Sequence, residues 1–464
     1  MAPKTITDAA RQLRAGTLTA VELTESLVSR AEACYDTLGA FVAVQRSSAL
    51  KAAAIADTNF ARGIDHGPLQ GIPLAVKDII STKDAPTTAS SRALSPPWGQ
   101  GIDASVVARL RHAGAVILGK STTSEFACGM PDSSKGFPIP RNPWDLERTP
   151  SGSSSGNGVA IAANLALGGI GTDTGGSIRT PAAANGHTGM KVTFGRVPTS
   201  GVIPLASSLD TVGPMARSAR DCAIILDVIS GDRSSVEENR RQLSISDGCA
   251  IDGDLSGIVV GMPIPYFFDD PTLDEEVCAG VYQVAEQLRS CGAEVSEIEI
   301  PYAGEANHAA GLMMVSEGYA YHRRNLQKNW FDYGYSARDF IGRGALYTAS
   351  DYIQAQRFRS FFANEVAKAM NRVDILLTPT TNAPAAVAEI EDPGDRLFLH
   401  SNYTRQWNLT GAPALAAPCG FSSQGLPISF QLVGRPFEEA AVLKVAAAYQ
   451  CLTDWHLKTP EIYD

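Results

Sequence analysis

At 464 residues the chain is about three times as long as a typical single domain, enough to bury a large core. Its 44% hydrophobic and 19% charged content excludes disorder as the dominant state, and a net charge of −10 is the wrong sign for a general binder of nucleic-acid phosphates. The longest uncharged apolar run, Val159 to Gly171, is broken by Asn164 and by glycines and is too short to span a bilayer.

The first residues, MAPKTITDAARQLR, read as a polar amphipathic helix without an apolar signal core, so a cytoplasmic location is expected. The eight cysteines are scattered with no C-x-x-C pair, as reduced and mostly buried thiols would be. Residues 1–65 are expected to form a helical segment packed on the core: Thr19 and Glu22 make a capping box, and Leu23, Leu27 and Ala31 then share one helix face.

From residue 66 to 464 the pattern is that of an α/β domain. Short β-rich runs, Ile72 to Val76 and Ala115 to Leu118, alternate with a helical stretch from Ser105 to Ala113. A small-residue helix, Gly156 to Leu165, precedes a Gly-rich apolar strand, Ala166 to Gly171. Between about 235 and 365, after the polar stretch Asp232 to Ser246, helices lengthen and charge and aromatics increase. Strands at Gly257 to Met262 and Ala293 to Ile300 flank a helix there, Leu273 to Arg289. The β pattern returns at Val373 and at Pro427 to Gly434, and a last helix runs from Glu438 to Cys451. The expected fold is one large domain, a mixed central sheet flanked by helices, carrying a helical variable insertion at about 235–365 that faces substrate.

Serine and glycine concentrate on both sides of the small-residue helix and its strand. The second cluster, Gly171 to Ser177, lies between a strand and a helix beginning near Ser177, with Pro181 in its first turn. Consecutive backbone N–H groups then converge on one point, which is what an oxyanion hole requires. A phosphate loop would need Lys after Gly176, and the glycines lack dinucleotide-fingerprint spacing. A plain structural turn would explain the second cluster alone, but not the first cluster or Lys77.

These residues resemble a known family. Ser151 to Gly156 (SGSSSG) is similar to the GGSSGG element of the amidase signature family, and Gly171 to Arg179 (GTDTGGSIR) to its GTDxGGSxR element. The interval of 24 residues from Ser153 to Ser177 matches the family's spacing between bridging serine and nucleophile, and Lys77 in GIPLAVKD matches its buried lysine. The resemblance continues through Ser208 to Pro214, Asn408 to Pro413 and Gly425 to Pro436. Ser151, Ser155 and Asn157 stand where the family usually has Gly, Gly and Ser, and Thr122 where Asn is common. Those departures bear on loop conformation and substrate preference rather than reaction type.

The resemblance implies a Ser-cisSer-Lys triad in which Ser177 attacks, Ser153 relays protons after a cis peptide bond, and Lys77 is the base. It implies an oxyanion hole of Thr174, Gly175, Gly176 and Ser177 N–H groups, with Ser154 in the network and Asp173 and Arg179 bracing the loop. Lysine serves as a base only when neutral, and the apolar neighbours Ile72 to Val76, Ile79 and Ile80 would desolvate it. None of the seven histidines sits in a motif that would aim it at Ser177. No cofactor and no metal is required, and no cluster has metal-ligand spacing.

The expected activity is hydrolysis of C–N bonds in small amides, with aryl amides, carbamates or urethanes and esters as relatives, through an acyl-enzyme. The alternative within the same family is a component like the A subunit of a glutamyl-tRNA amidotransferase complex. Acidic charge and the middle segment favour the first. The expected partner is a small amide or carbamate, with no nucleic acid and no membrane, and a homodimer is one assembly this allows. The pocket is expected to draw on Cys128, Gly129 and Met130 from the loop after Glu125, and on Met314, Tyr319 and Tyr321 from an aromatic-rich stretch. Those aromatics could equally form the core of a lid.

Overall fold

The computed structural model describes residues 3–94, 98–130, 132–230, 253–388 and 403–461. The polar stretch Asp232 to Ser246 lies outside the described residues.

Eleven strands form one sheet: β1 Phe41–Val44, β2 Pro73–Lys77, β3 Val116–Ser121, β4 Gly168–Asp173, β5 Thr188–Lys191, β6 Thr211–Ala216, β7 Val259–Pro263, β8 Glu294–Ile298, β9 Ile375–Pro379, β10 Ala414–Phe421 and β11 Pro427–Val433. Their spatial order is β1-β3-β2-β4-β6-β5-β10-β11-β9-β7-β8. Strands β3, β2 and β4 run parallel, as do β9, β7 and β8, while the strands between those two groups pair antiparallel. The sheet is therefore mixed, as expected. Strands β2, β3, β4, β6, β9 and β11 are buried along their whole length. Both faces of such strands must be covered, which explains why they read as continuous apolar or small-residue runs.

The N-terminal region contributes helices Ile6–Arg14, Ala20–Ala33 and Arg46–Ala61, and the Thr19–Glu22 capping box is formed. It also supplies β1, an edge strand antiparallel to β3 that the helical reading missed. Its four residues are too short for a reliable alternation signal. The middle segment joins the same sheet through β7 and β8, with helix Glu275–Ser290 between them. It then turns helical: Ala303–Asn329, Tyr335–Gly342 and Ala349–Met370. Buried side chains from Ile6 to Tyr449 belong to one hydrophobic cluster, so these layers share a core. Among the described residues no helix is long and apolar enough to cross a membrane.

Candidate active site

The site forms where parallel strands end. Strand β2 lies beside β4 with Val76 opposite Ile170, so the last residue of β2, Lys77, arrives next to Gly171 and Thr172. Crevices at the carboxyl ends of parallel strands are where open α/β sheets bind ligands. Lys77 is completely buried, and its Nζ donates to Ser153 Oγ at 2.7 Å and Thr172 Oγ1 at 2.8 Å. Thr172 went unnoticed in the sequence, although the β2–β4 register is the signal that would have found it.

The two serine clusters are fastened to each other. Ser154 Oγ donates to Thr172 O at 3.2 Å and accepts from Thr172 N at 3.3 Å. This approach needs Gly171, where a Cβ would crowd Ser154 Oγ and the Met215 sulfur. Ser154 N donates to Ser177 O at 3.1 Å, Ser124 N donates to Ser153 O at 3.1 Å, and the peptide between Gly152 and Ser153 is cis. Ser153 is thereby held between β2 and the 172–177 loop. The Ser177 hydroxyl makes no hydrogen bond among the described residues.

Asp173 is the hub of the nucleophile loop. Its carboxylate accepts from Gly176 N, Ile178 N, Arg179 Nε and NH2, and Asn408 Nδ2 at 2.8–3.1 Å. Burial pushes its pKa up, but the Arg179 guanidinium and these donors hold it well below the usual carboxylate range. Arg179 also donates to Thr404 O and Gln431 Oε1 at 2.9 and 2.7 Å. The expected Asp173–Arg179 ion pair is present at 2.9 Å, and both side chains are fully buried. This arrangement corrects one expectation: the Gly176 N–H is committed to Asp173, so it does not point freely at a substrate oxygen. The Gly175 and Ser177 N–H groups have no hydrogen-bond partner among the described residues. Gly176 adopts φ +128°, and a Cβ there would strike the Thr404 hydroxyl.

Burial lowers the Lys77 pKa to about 7, with Asp173 and Asp210 pulling it back only in part. Asp210 is itself raised to about 6 by burial, against a 2.6 Å hydrogen bond from Thr174 Oγ1. Lys77 therefore exchanges its proton near neutral pH.

In front of Ser153 and Ser177 opens a cavity of about 1050 Å3. Cys128, Gly129, Met130, Met314 and Gly175 line it, as expected, together with Phe340, Arg405 and the stretch Thr380 to Ala388. Cys128 Sγ donates to Glu125 O at 3.3 Å, and burial followed by the nearby Glu125 pushes its pKa well up, which favours the protonated thiol. Tyr319 and Tyr321 depart from expectation. Tyr319 lines a separate groove with Trp330, Tyr335 and Arg338, and Tyr321 is half-exposed. On helix Ala303–Asn329, Tyr319 is turned about 140° away from Met314, and Tyr321 returns to nearly the same angle only two turns further on. Tyr333 is fully buried beside the Phe126 and His322 rings, whereas Tyr321, Trp330 and Phe331 are exposed, so of these aromatics Tyr333 fits the lid-core reading and those three do not. The 380–388 wall was missed because its two threonines, asparagine and small apolar residues form no motif with a chemical signature.

The fold and the serine-lysine constellation define an amidase-signature hydrolase. The sequence model of the Amidase family matches residues 22–443, and the chain belongs to that family. The A subunit of glutamyl-tRNA(Gln) amidotransferase from Roseiflexus castenholzii is 40% identical, with 99% of this chain and 97% of that protein covered. Its counterpart from Coxiella burnetii is 37% identical with both chains fully covered. Among solved structures, the native peptide amidase from Stenotrophomonas maltophilia superposes with a TM-score of 0.85 at 30% identity, covering 99% of this chain and 98% of that one.

Proposed function

We propose that the chain cleaves carboxamide C–N bonds by serine catalysis, as the ammonia-releasing component of an amidotransferase of the glutamyl-tRNA(Gln) type. The observation that carries the chemistry is the buried Lys77, hydrogen-bonded to Ser153 at 2.7 Å behind a cavity that Ser177 also lines.

Ser177 Oγ bonds to the carbonyl carbon while its proton passes to Ser153 Oγ, whose own proton moves to neutral Lys77. The oxyanion is held by N–H groups of Gly175 and Ser177, with Thr174 at the same loop. The proton then returns through Ser153 to the nitrogen as the C–N bond breaks, and ammonia or an amine leaves. Water attacks the Ser177 ester over the same relay, giving the carboxylic acid and free serine. Contact between Ser153 and Ser177 tightens when substrate is bound, as catalytic hydrogen bonds commonly do.

The setting rests on the relatives. The two amidotransferase components match over 97–100% of their own length and nearly all of this chain, the middle segment included, so that segment gives no ground for setting this chain apart. The second reading, a free-standing amidase for which carbamates and esters are further substrates, draws support from the 30% identity to peptide amidase. Purified chain assayed alone on an aryl amide and on glutamine separates the two: ready turnover without partners favours the second. In either case Ser177→Ala should reduce turnover more than about a thousandfold with an unchanged melting temperature, and smaller losses would remove Ser177 from the reaction.

A further inference from the structure

Gly175 and Gly176 have no side chains to anchor them and the widest backbone freedom of any residue, yet the Gly175 N–H has to hold a fixed direction if it is to receive an oxyanion. That N–H belongs to the peptide joining Thr174 to Gly175, so its direction follows from how Thr174 is held. On one side Asp173 is fixed by Arg179 and Asn408, and on the other Gly175 O accepts from Thr404 Oγ1 at 2.7 Å. Thr174 itself is held by its hydroxyl, which donates to Asp210 Oδ1 at 2.6 Å.

Asp210 reaches this point through the sheet. It immediately precedes β6, and because Thr211 pairs with Asp173 in the antiparallel β4–β6 ladder, the next step beyond the strands sets Asp210 beside Thr174. Its carboxylate is fixed in turn: Oδ2 accepts from Leu205 N at 3.0 Å and from Ala206 N at 3.1 Å. The 205–210 turn is fastened from the opposite side by Glu317 on helix Ala303–Asn329, which accepts from Ser208 N at 3.0 Å and from Ser208 Oγ. Tyr352 OH donates to the same Glu317 carboxylate at 2.8 Å. Two charged groups are coupled to Asp210: Glu317, which makes it hold its proton more tightly, and Lys77, whose protonated form it favours.

We propose that Asp210 is a positioning residue for amide cleavage: through the Thr174 hydroxyl it fixes the peptide that presents the Gly175 N–H to the oxyanion. Asp210 and Thr174 both lie outside the cavity lining, so this carboxylate acts through the loop and not on substrate. The inference rests on the amidase reading of the site and adds a residue that serves the transition state. A ground-state carbonyl depends on the donor less than an oxyanion does, so loss of the clamp falls on kcat more than on KM.

Kinetics on 4-nitroacetanilide in wild type, Thr174→Val, Thr174→Ser and Asp210→Asn test this. Thr174→Val keeps the bulk of the side chain and the backbone bonds to Asp210; it should lower kcat about 10- to 100-fold while KM changes less than about threefold. Thr174→Ser retains the hydroxyl and should recover most of the loss. Asp210→Asn should also lower kcat, and it should move the rate limb set by Lys77 by about 0.5 to 1 pH unit toward acid, because the charge that favoured protonated lysine is gone. A merely structural role would leave that midpoint in place. A kcat within about threefold of wild type in Thr174→Val, equal losses in the Val and Ser variants, a loss carried by KM, or an unmoved limb in Asp210→Asn overturns the proposal. Undiminished turnover by Ser177→Ala would instead sink the amidase reading, whatever the Thr174 variants do.

Discussion

As the proposed base, Lys77 could take a proton only after losing its own, and the pH dependence expected of catalysis follows from its burial. With a pKa of about 7 its neutral fraction is about 9% at pH 6 and about 90% at pH 8. An ordinary lysine, at about 10.4, would be only about 0.4% neutral at pH 8. The value of kcat/KM on an aryl amide should therefore climb about tenfold between pH 6 and 8 and then flatten. The displacement corresponds to roughly 5 kcal/mol of preference for the neutral form. The same displacement governs stability: between pH 7 and about 10.4 the unfolded chain holds this proton and the folded chain does not, so stability rises with pH across that window. Below pH 7 the penalty is at its largest. Lys77→Met should accordingly abolish turnover yet gain several kcal/mol at pH 6, less about 1 kcal/mol for each lost hydrogen bond to Ser153 and Thr172, with the advantage vanishing near pH 10. Rates from pH 5 to 10 beside urea unfolding of both proteins provide the assay. A rate still rising tenfold per pH unit above pH 9, or the same limb in the mutant's residual activity, would refute the argument.

Glu125 titrates in the same window: burial raises its pKa to about 7, against hydrogen bonds from Ser91 Oγ and Gly334 N. The folded chain binds this proton where the unfolded chain has released it, so stability falls as pH rises from about 4.5 to 7. Glu125→Gln should therefore be more stable than wild type above pH 7 and show no gain below about pH 4.5, while leaving the midpoint of the Lys77 rate limb in place. Urea unfolding of both proteins at pH 4 and 8 checks this. Met314→Ala should reorder a panel of amides by chain length, because Met314 lines the cavity, whereas Tyr321→Ala should not. The panel is read as relative kcat/KM, and equal reordering by both variants would contradict the placement of the wall.

The serine-glycine clusters and Lys77 were readable because chemistry restricts which residues can stand there. Serine nucleophiles need donors and a base, and close strand-helix packing needs Gly171. The elements carrying them appear within a few residues of where the periodicity put them: β2 at Pro73–Lys77, β4 at Gly168–Asp173 and the helix Ser155–Ala162. What stayed hidden depends on tertiary approach. Asn408 and Gln431 lie in blocks that carry the family resemblance and Thr404 lies outside them, but their bracing of Arg179 shows only once the fold brings them onto it. The antiparallel middle of the sheet, β5, β6 and β10, was also hidden, because strands buried on both faces have no alternation to read. Tyr319 and Tyr321 were drawn toward the cavity by their type, whereas Tyr319 lines a groove with Tyr335 and Arg338 and Tyr321 is half-exposed.

The bracing of Arg179 has a consequence for the birth of the enzyme. Its partners Thr404, Asn408 and Gln431 lie 225, 229 and 252 residues further along the chain. During synthesis from the N-terminus, Ser153, Ser177 and Lys77 leave the ribosome long before the groups that fix the nucleophile loop. A nascent chain that already carries all three would therefore lack a rigid Asp173–Arg179 brace until almost its full length has been made. Ribosome-bound and prematurely ended chains are therefore expected to be poor hydrolases, with activity arriving only once helix Arg405–Thr410 and strand Pro427–Val433 are in place.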